Sequence, residues 1–256
     1  MGKEHRLTER RQAILTAFDG TQRLSVAALS ARFSVSEVTI RNDLQALSEQ
    51  GLLLRTRGGA TAVAIQPELS FDIRQQKNAD QKARIARAAA ALVNDGDTIA
   101  LDASTTAIAM VPYLVDCADL TVVTNSLKGA ISLLRNRHVH VIMPGGHLRR
   151  DAISLVGGDE NGYLDELHVR IGFFGARGVT VDQGLTDINH DEIKWKQRLV
   201  ERCREVVAIF DSSKLGQLAA STFAQLDQVD AIITDTDAAT EMVDALYAVG
   251  VDVTLV

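Results

Sequence analysis

Ser36-Glu37-Val38-Thr39-Ile40-Arg41-Asn42-Asp43-Leu44 opens a helix whose two faces differ in kind. Ile40, Leu44 and Leu47 recur at helical spacing and make a buried stripe, and Ser36 stands where an N-cap belongs. Each residue of a helix turns the chain by about 100°, which sets Val38 and Asn42 opposite that stripe, with Thr39 and Arg41 on its flanks. An arginine there can fork onto a guanine, an asparagine can pair with an adenine, and a valine can touch a thymine methyl. Thr39 or Ser36 suits a backbone phosphate.

Outward from this helix, the chain supplies the rest of a small DNA-reading unit. Thr8 is placed to cap a helix over residues 9–18, with Ile14, Leu15 and Phe18 inward. Ser25 caps a second helix carrying Val26, Leu29 and Phe33, and the third is expected to run to Gln50 and stop at Gly51. Leu52 to Arg57 reads as a strand, Gly58-Gly59 as a tight turn, and Ala60 to Val63 as a return strand. Arg55 and Arg57, two apart on a strand, point to one face and suit phosphate or minor-groove contact. Three helices and a basic hairpin make a winged helix-turn-helix over residues 7–62. Its candidate DNA-contacting set is Ser25, Ser36, Glu37, Val38, Thr39, Arg41, Asn42, Arg55 and Arg57. A solvated helix face with routine salt bridges would account for any one of these, but not for their assembly with a wing.

The charge is divided in the same place. The chain of 256 residues has a formal net charge of −6. Residues 1–63 hold nine Lys and Arg against six acids, a net +3, and the remainder carries −9. A basic reader on an acidic body fits DNA as a partner of the first part only. Hydrophobic residues are 46% of the chain, enough for a sizeable core. No apolar run reaches the length of a membrane span, the first residues do not form a signal peptide, and Cys117 and Cys203 read as two reduced thiols, so a cytoplasmic location is expected.

Residues 63–77, with Pro67 and the charged run after it, read as a linker. From residue 78 to 256 apolar strands alternate with helices, which implies a doubly wound, mostly parallel α/β sheet covered on both faces. Strands are expected at Thr98–Asp102, Leu120–Thr124, Val139–Met143, Val169–Phe174, Val206–Phe210, Asp230–Thr234 and Asp252–Val256. Ligands of such sheets bind at the carboxyl ends of strands. Those ends are polar here: Asp102-Ala103-Ser104-Thr105-Thr106, Thr124-Asn125-Ser126, Pro144-Gly145-Gly146-His147-Leu148-Arg149-Arg150 and Asp211-Ser212-Ser213-Lys214. Any one could be an ordinary strand-to-helix turn with a Ser or Thr cap. Four of them on one sheet edge point to a phosphate pocket. His190 near Asp187 and Glu192 could suggest a metal or a general base, although capping and ligand hydrogen bonds explain it better. No metal or cofactor is expected. Lys194, Lys196 and Arg198 are read as solvated.

The Ser-Val-Ser-Glu-Val-Thr-Ile-Arg-Asn-Asp-Leu run, with the Arg-Thr-Arg-Gly-Gly-Ala wing, resembles the DeoR family of bacterial repressors. The likeness extends through Lys82, Asp102 to Thr106, Thr124-Asn125-Ser126, Pro144-Gly145-Gly146 with Arg149, Phe174-Gly175-Ala176, Glu192 and Asp211-Ser212-Ser213-Lys214. The family's effector domain is similar in fold to ribose phosphate isomerase and glucosamine phosphate deaminase. The resemblance implies that Ser104, Thr105 and Thr106 cradle phosphate, with Lys214 and Lys82 supplying charge. Asp102, Asn125, Asp187 and Glu192 would hold sugar hydroxyls, and Ser126, Gly145, Gly146 and Arg149 complete the candidate effector set. Ala103-Ser104 stands where the family commonly has Ala-Gly, and Arg177 where it commonly has aspartate, so no particular sugar transfers.

The expected function is a non-enzymatic repressor of a carbohydrate-catabolism operon. It would bind double-stranded operator DNA as a homodimer or higher homo-oligomer and be released by a phosphorylated sugar. The competing reading is an isomerase-like sugar phosphate enzyme with an accessory DNA-binding domain. It is disfavoured because Met143-Pro144 precedes the glycine turn where the isomerases have a lysine.

Overall fold

The computed structural model describes residues 10–11, 13–14, 17, 23–49, 53–56, 58–62, 70–158 and 162–256. The chain forms two compact units, residues 1–69 and 70–256.

In the first unit, β1 (Arg23–Ser25) leads into α1 (Val26–Phe33) and α2 (Glu37–Glu49), followed by β2 (Leu53–Thr56) and β3 (Gly59–Ala62). Residues 10, 11, 13, 14 and 17 are helical and precede them; the expected cap Thr8 and the expected stop at Gln50-Gly51 lie outside the described residues. Ile14, Val26, Leu29, Ile40, Leu44 and Leu47 are buried together as the periodicity required. The wing has three strands, in the order β1-β3-β2. Arg23 to Ser25 was not expected to be a strand, being too short for alternation to show. Its pairing explains the glycine at 59, where a Cβ would come within 2.2 Å of Leu24 O. One buried charge holds the helices in register: Asp43 accepts from Arg10 Nε at 2.6 Å and Arg11 Nε at 3.0 Å.

The second unit is built on a seven-stranded, wholly parallel sheet. Its members are β4 (Thr98–Leu101), β5 (Leu120–Thr124), β6 (Val139–Ile142), β9 (Val169–Phe174), β12 (Cys203–Ile209), β14 (Ala231–Thr234) and β15 (Asp252–Leu255). All seven expected strands are these, in the order β15-β14-β12-β9-β4-β5-β6. The chain leaves β4 toward β5 on one side and later returns to β9 on the other, so the strand order reverses between β4 and β9. Such a reversal opens a crevice at the carboxyl ends of the two strands. Helices α4 (Ala79–Ala90), α5 (Thr105–Ile108), α6 (Leu127–Leu133), α7 (His190–Arg202) and α8 (Thr240–Ala248) cover the sheet. Two apolar clusters lie on it, one containing Phe174, Trp195, Phe210 and Phe223, the other Ile85, Ile99, Phe173 and Ile209.

Three features were not expected. Residues 63–77 are not all linker: α3 (Phe71–Gln76) belongs to the second unit, with Phe71 buried and Lys128 Nζ lying 4.5 Å from its ring centroid. The glycine turn 145–146 enters a hairpin of β7 (Gly146–Arg149) and β8 (Ser154–Gly157). A small antiparallel sheet joins β10 (Gly178–Thr180), β11 (Gly184–Asp187) and β13 (Ser221–Ala224). Each of these segments is too short, or too polar, for its period to stand out from its surroundings.

Candidate functional site

In the first unit, α2 turns Ile40, Asp43, Leu44 and Leu47 inward and leaves Val38, Arg41 and Asn42 exposed, Val38 by 62%. The outward face is the one the helical wheel indicated. Ser36 Oγ accepts from Thr39 N at 3.2 Å and shares a 2.8 Å hydrogen bond with Thr39 Oγ1, so these hydroxyls cap the helix. Ser25 caps α1 in the same way, accepting from Ala28 N. Arg41 pairs with Glu37 one turn earlier at 2.6 Å. An exposed pair of this spacing contributes about 0.3–0.5 kcal/mol, less than a bidentate base contact, so it orients Arg41 without tying it down. The side chain of Arg55, and Arg57 altogether, lie outside the described residues.

In the second unit, buried polar side chains gather where the sheet order reverses. Asp102, directly after β4, is fully buried; its Oδ1 accepts from Ser104 N at 3.0 Å and its Oδ2 from Gly175 N at 2.9 Å, just past β9. Gly175 has to be glycine, since a Cβ there would meet Ser104 Cβ at 2.4 Å. The two strand ends therefore touch through backbone and carboxylate.

Lys196 completes this centre and corrects the expectation that it is solvated. It is 4% exposed, and its Nζ donates to Asp187 Oδ2 at 2.6 Å, Gly175 O at 2.8 Å and Asp102 Oδ2 at 2.9 Å. The Phe223 ring centroid lies 4.6 Å from the same nitrogen. Burial alone would lower the lysine's pKa, but Asp102 and Asp187 outweigh it and hold the pKa above its ordinary value. Asp187 responds oppositely: burial would raise it, and Lys196 and Arg177 bring it below the usual carboxylate value.

A second cluster centres on Glu192. Its Oε1 accepts from Arg149 Nη1 at 2.8 Å and from Ser154 Oγ, and its Oε2 accepts from Asn125 Nδ2 at 2.8 Å. Because a carboxylate only accepts, this bond fixes the Asn125 amide, whose Oδ1 is then buried with no partner among the described residues. The cluster pins the β7–β8 hairpin to α7. Gly146 serves that hairpin, since a Cβ there would lie 2.2 Å from Val156 O, whereas Gly145 has open space.

A third cluster is cationic. Lys82 and Lys214 stand by Asp211, which also accepts from Asn78 Nδ2 at 2.7 Å. Burial pushes the Lys82 pKa down to about 8, with Asp211 opposing and Lys214, Arg74 and Lys77 reinforcing. Lys214 is lowered by burial too, against Asp211. Asp211 lies below its ordinary value because Lys214 and hydrogen bonds from Ser213 and Asn78 outweigh its burial.

The structure thus brings Asp102, Asp187, Asn125, Glu192, Arg149, Lys82 and Lys214 into three neighbouring groups. Ser104 and Ser126 are helix caps, accepting from Ala107 N and Gly129 N, and Thr105 and Thr106 are buried at the start of α5. Sequence reasoning missed Lys196, Ser154, Arg74 and Lys77. The Glu192 to Lys196 spacing of one helical turn was the available signal for Lys196. Among the described residues no group of three His, Cys, Asp or Glu could hold a metal ion, and no helix is long and apolar enough to cross a membrane.

The model of the DeoR-like helix-turn-helix domain matches residues 10–66, and that of the DeoR C terminal sensor domain matches residues 77–236. The chain belongs to the DeoR family. The DeoR regulator is 35% identical to the transcriptional regulator GolR of Listeria innocua, over 89% of this chain and 90% of that one. It is 38% identical to the regulator YulB of Bacillus subtilis, over 98% and 97% of the two chains. It is 31% identical to the glycerol-3-phosphate regulon repressor of Escherichia coli, over 89% and 90%. Among solved structures, ribose 5-phosphate isomerase A of Methanocaldococcus jannaschii matches 54% of this chain and 55% of its own. The TM-score is 0.40 at 21% identity. As a family member it is a DNA-binding transcriptional regulator, with its reader in the first unit and its small-molecule sensor in the second.

Proposed function

We propose that this DeoR regulator represses a carbohydrate-catabolism operon and is released by a phosphorylated sugar bound at the strand ends of the sensor. The observation that carries the reading is the pair of buried Lys82 and half-buried Lys214 beside a single carboxylate, Asp211. A phosphate dianion is the complement of that imbalance. The orphaned Asn125 Oδ1 supplies an acceptor for a sugar hydroxyl. The repressors named for the glycerol-3-phosphate regulon and the aga operon support an operon of this kind.

Binding without turnover is the better reading of the same site. A general base has to reach the proton that it removes. Asp102 and Glu192, the two carboxylates best placed for it, already accept from protein donors at both oxygens. A homo-oligomer would read paired half-sites about 34 Å apart or a multiple of it.

A thermal-shift screen of sugar phosphates against their unphosphorylated counterparts tests the sensor reading. A ligand at one hundred times its Kd adds about 2.7 kcal/mol, or roughly 5–10 °C in Tm. The expected hit is phosphorylated, and Lys214→Ala abolishes its shift; an undiminished shift in that variant sinks the assignment.

Affinity for that ligand is expected to fall as pH rises through about 8, where Lys82 loses its proton. The phosphate monoester is mostly dianionic above about pH 7, so the lysines set this trend, Lys82 first and Lys214, also lowered by burial, in the same direction. Because the folded pKa lies below the unfolded one, the unliganded protein gains stability over the same window. Calorimetric titrations at pH 7 and 9 check the sign: affinity lower and unliganded Tm contribution higher at pH 9.

For the reader, binding sites selected from a random duplex pool supply the assay. Arg41→Ala is expected to lose about 1–3 kcal/mol on the preferred sequence and little on others. Equal losses on all sequences would place Arg41 on the phosphate backbone instead.

A further inference from the structure

Helix α3 has six residues, too few to persist without tertiary support. Its first residue, Phe71, is buried. At its other end, two carbonyls that no further helical turn can satisfy, Arg74 O and Lys77 O, accept from Lys82 Nζ, the second at 2.5 Å. Lys82 projects from the first turn of α4, itself reached through Asn78 in a left-handed conformation at φ 54°. Asn78 donates to Asp211, the carboxylate whose charge acts on both Lys82 and Lys214. The turn joining α3 to α4 and the cationic cluster are therefore built from the same side chains.

We propose that Lys82 is a positioning residue that couples the sensor to its tether: a phosphate group held at Lys82 and Lys214 tightens the Lys82 cap on α3. This rests on the reading of that cluster as the phosphate site. An ammonium has three N–H donors, and Arg74 of α3 and Lys77, its C-cap, occupy two of them. An anion taking the third fixes the side chain in the position from which it caps α3, so the cap no longer has to bear that loss of rotamer freedom by itself. No bond to α3 has to break for the anion to enter. Helix α3 begins two residues past Leu69, where the DNA-binding unit ends. Ordering it therefore acts on the stretch of chain through which the two units are joined. By linkage, whatever frees α3 weakens phosphate binding by the same factor.

Hydrogen–deuterium exchange on the full chain, with and without inorganic phosphate at concentrations that saturate its thermal shift, tests this. Phosphate is expected to slow exchange of the 74–77 backbone amides by about tenfold, the order of one lysine side chain's rotamer entropy. The α8 amides of residues 243–248 should not change. Lys82→Gln is expected to exchange faster at 74–77 from the outset and to show no slowing with phosphate; Lys82→Met serves if the glutamine variant does not fold. Phosphate that raises Tm but leaves 74–77 unchanged overturns the coupling and leaves the site reading intact. Phosphate that moves neither Tm nor exchange overturns both.

Discussion

Lys196→Met is expected to destabilise the sensor unit by about 3–5 kcal/mol, seen as a lower midpoint in urea unfolding. The methionine fills a similar volume, so the loss is electrostatic and not a cavity. Removing the ammonium strands Asp102 and Asp187, both buried, and leaves Gly175 O without its donor. Breaking one member of a buried ion cluster costs far more than the cluster as a whole contributes, because the remaining charges keep their desolvation penalty. Adding Asp187→Asn to Lys196→Met should therefore restore part of the stability. A double variant no more stable than the single one would show that the stranded carboxylates are not the cause.

Glu192→Ala is the second large effect, expected at about 3 kcal/mol. The carboxylate takes three donors from three places: Asn125 after β5, Arg149 at the end of β7 and Ser154 at the start of β8. Its loss leaves the Arg149 guanidinium, only 12% exposed, without this partner, and frees the Asn125 amide. Glu192→Gln keeps the volume and one acceptor and is expected to lose about half as much. Exchange of the 154–157 amides reads the same event locally: faster in Glu192→Ala, unchanged if the hairpin holds by its own ladder. The two variants differ in a useful way, since Lys196 joins the strand ends at the sheet reversal and Glu192 fastens a hairpin beyond them.

Much of the architecture was legible in the chain because it is written in local patterns. Ile40, Leu44 and Leu47 could be placed inward, and Val38 and Asn42 outward, from spacing alone. The seven parallel strands announced themselves as apolar runs between helices, and the polar residues that follow them marked the edge where a ligand could lie. Wherever period or capping chemistry carried the information, residue and neighbours sufficed.

What tertiary structure alone decided is the state of the charges. Lys194, Lys196 and Arg198 look alike in a helical sequence, yet only Lys196 falls where two carboxylates and a carbonyl converge, and Asp102 reaches it from another strand. Asn125 and Glu192 meet across 67 residues of chain, and Asn78 and Asp211 across 133. Helix α3 is too short for a period to declare it, and it exists because Phe71 is buried and Lys82 closes its end. A helical face or a strand is a property of consecutive residues. Whether a lysine is solvated or buried between acids depends on what stands across the sheet, and that is settled only when the chain has closed.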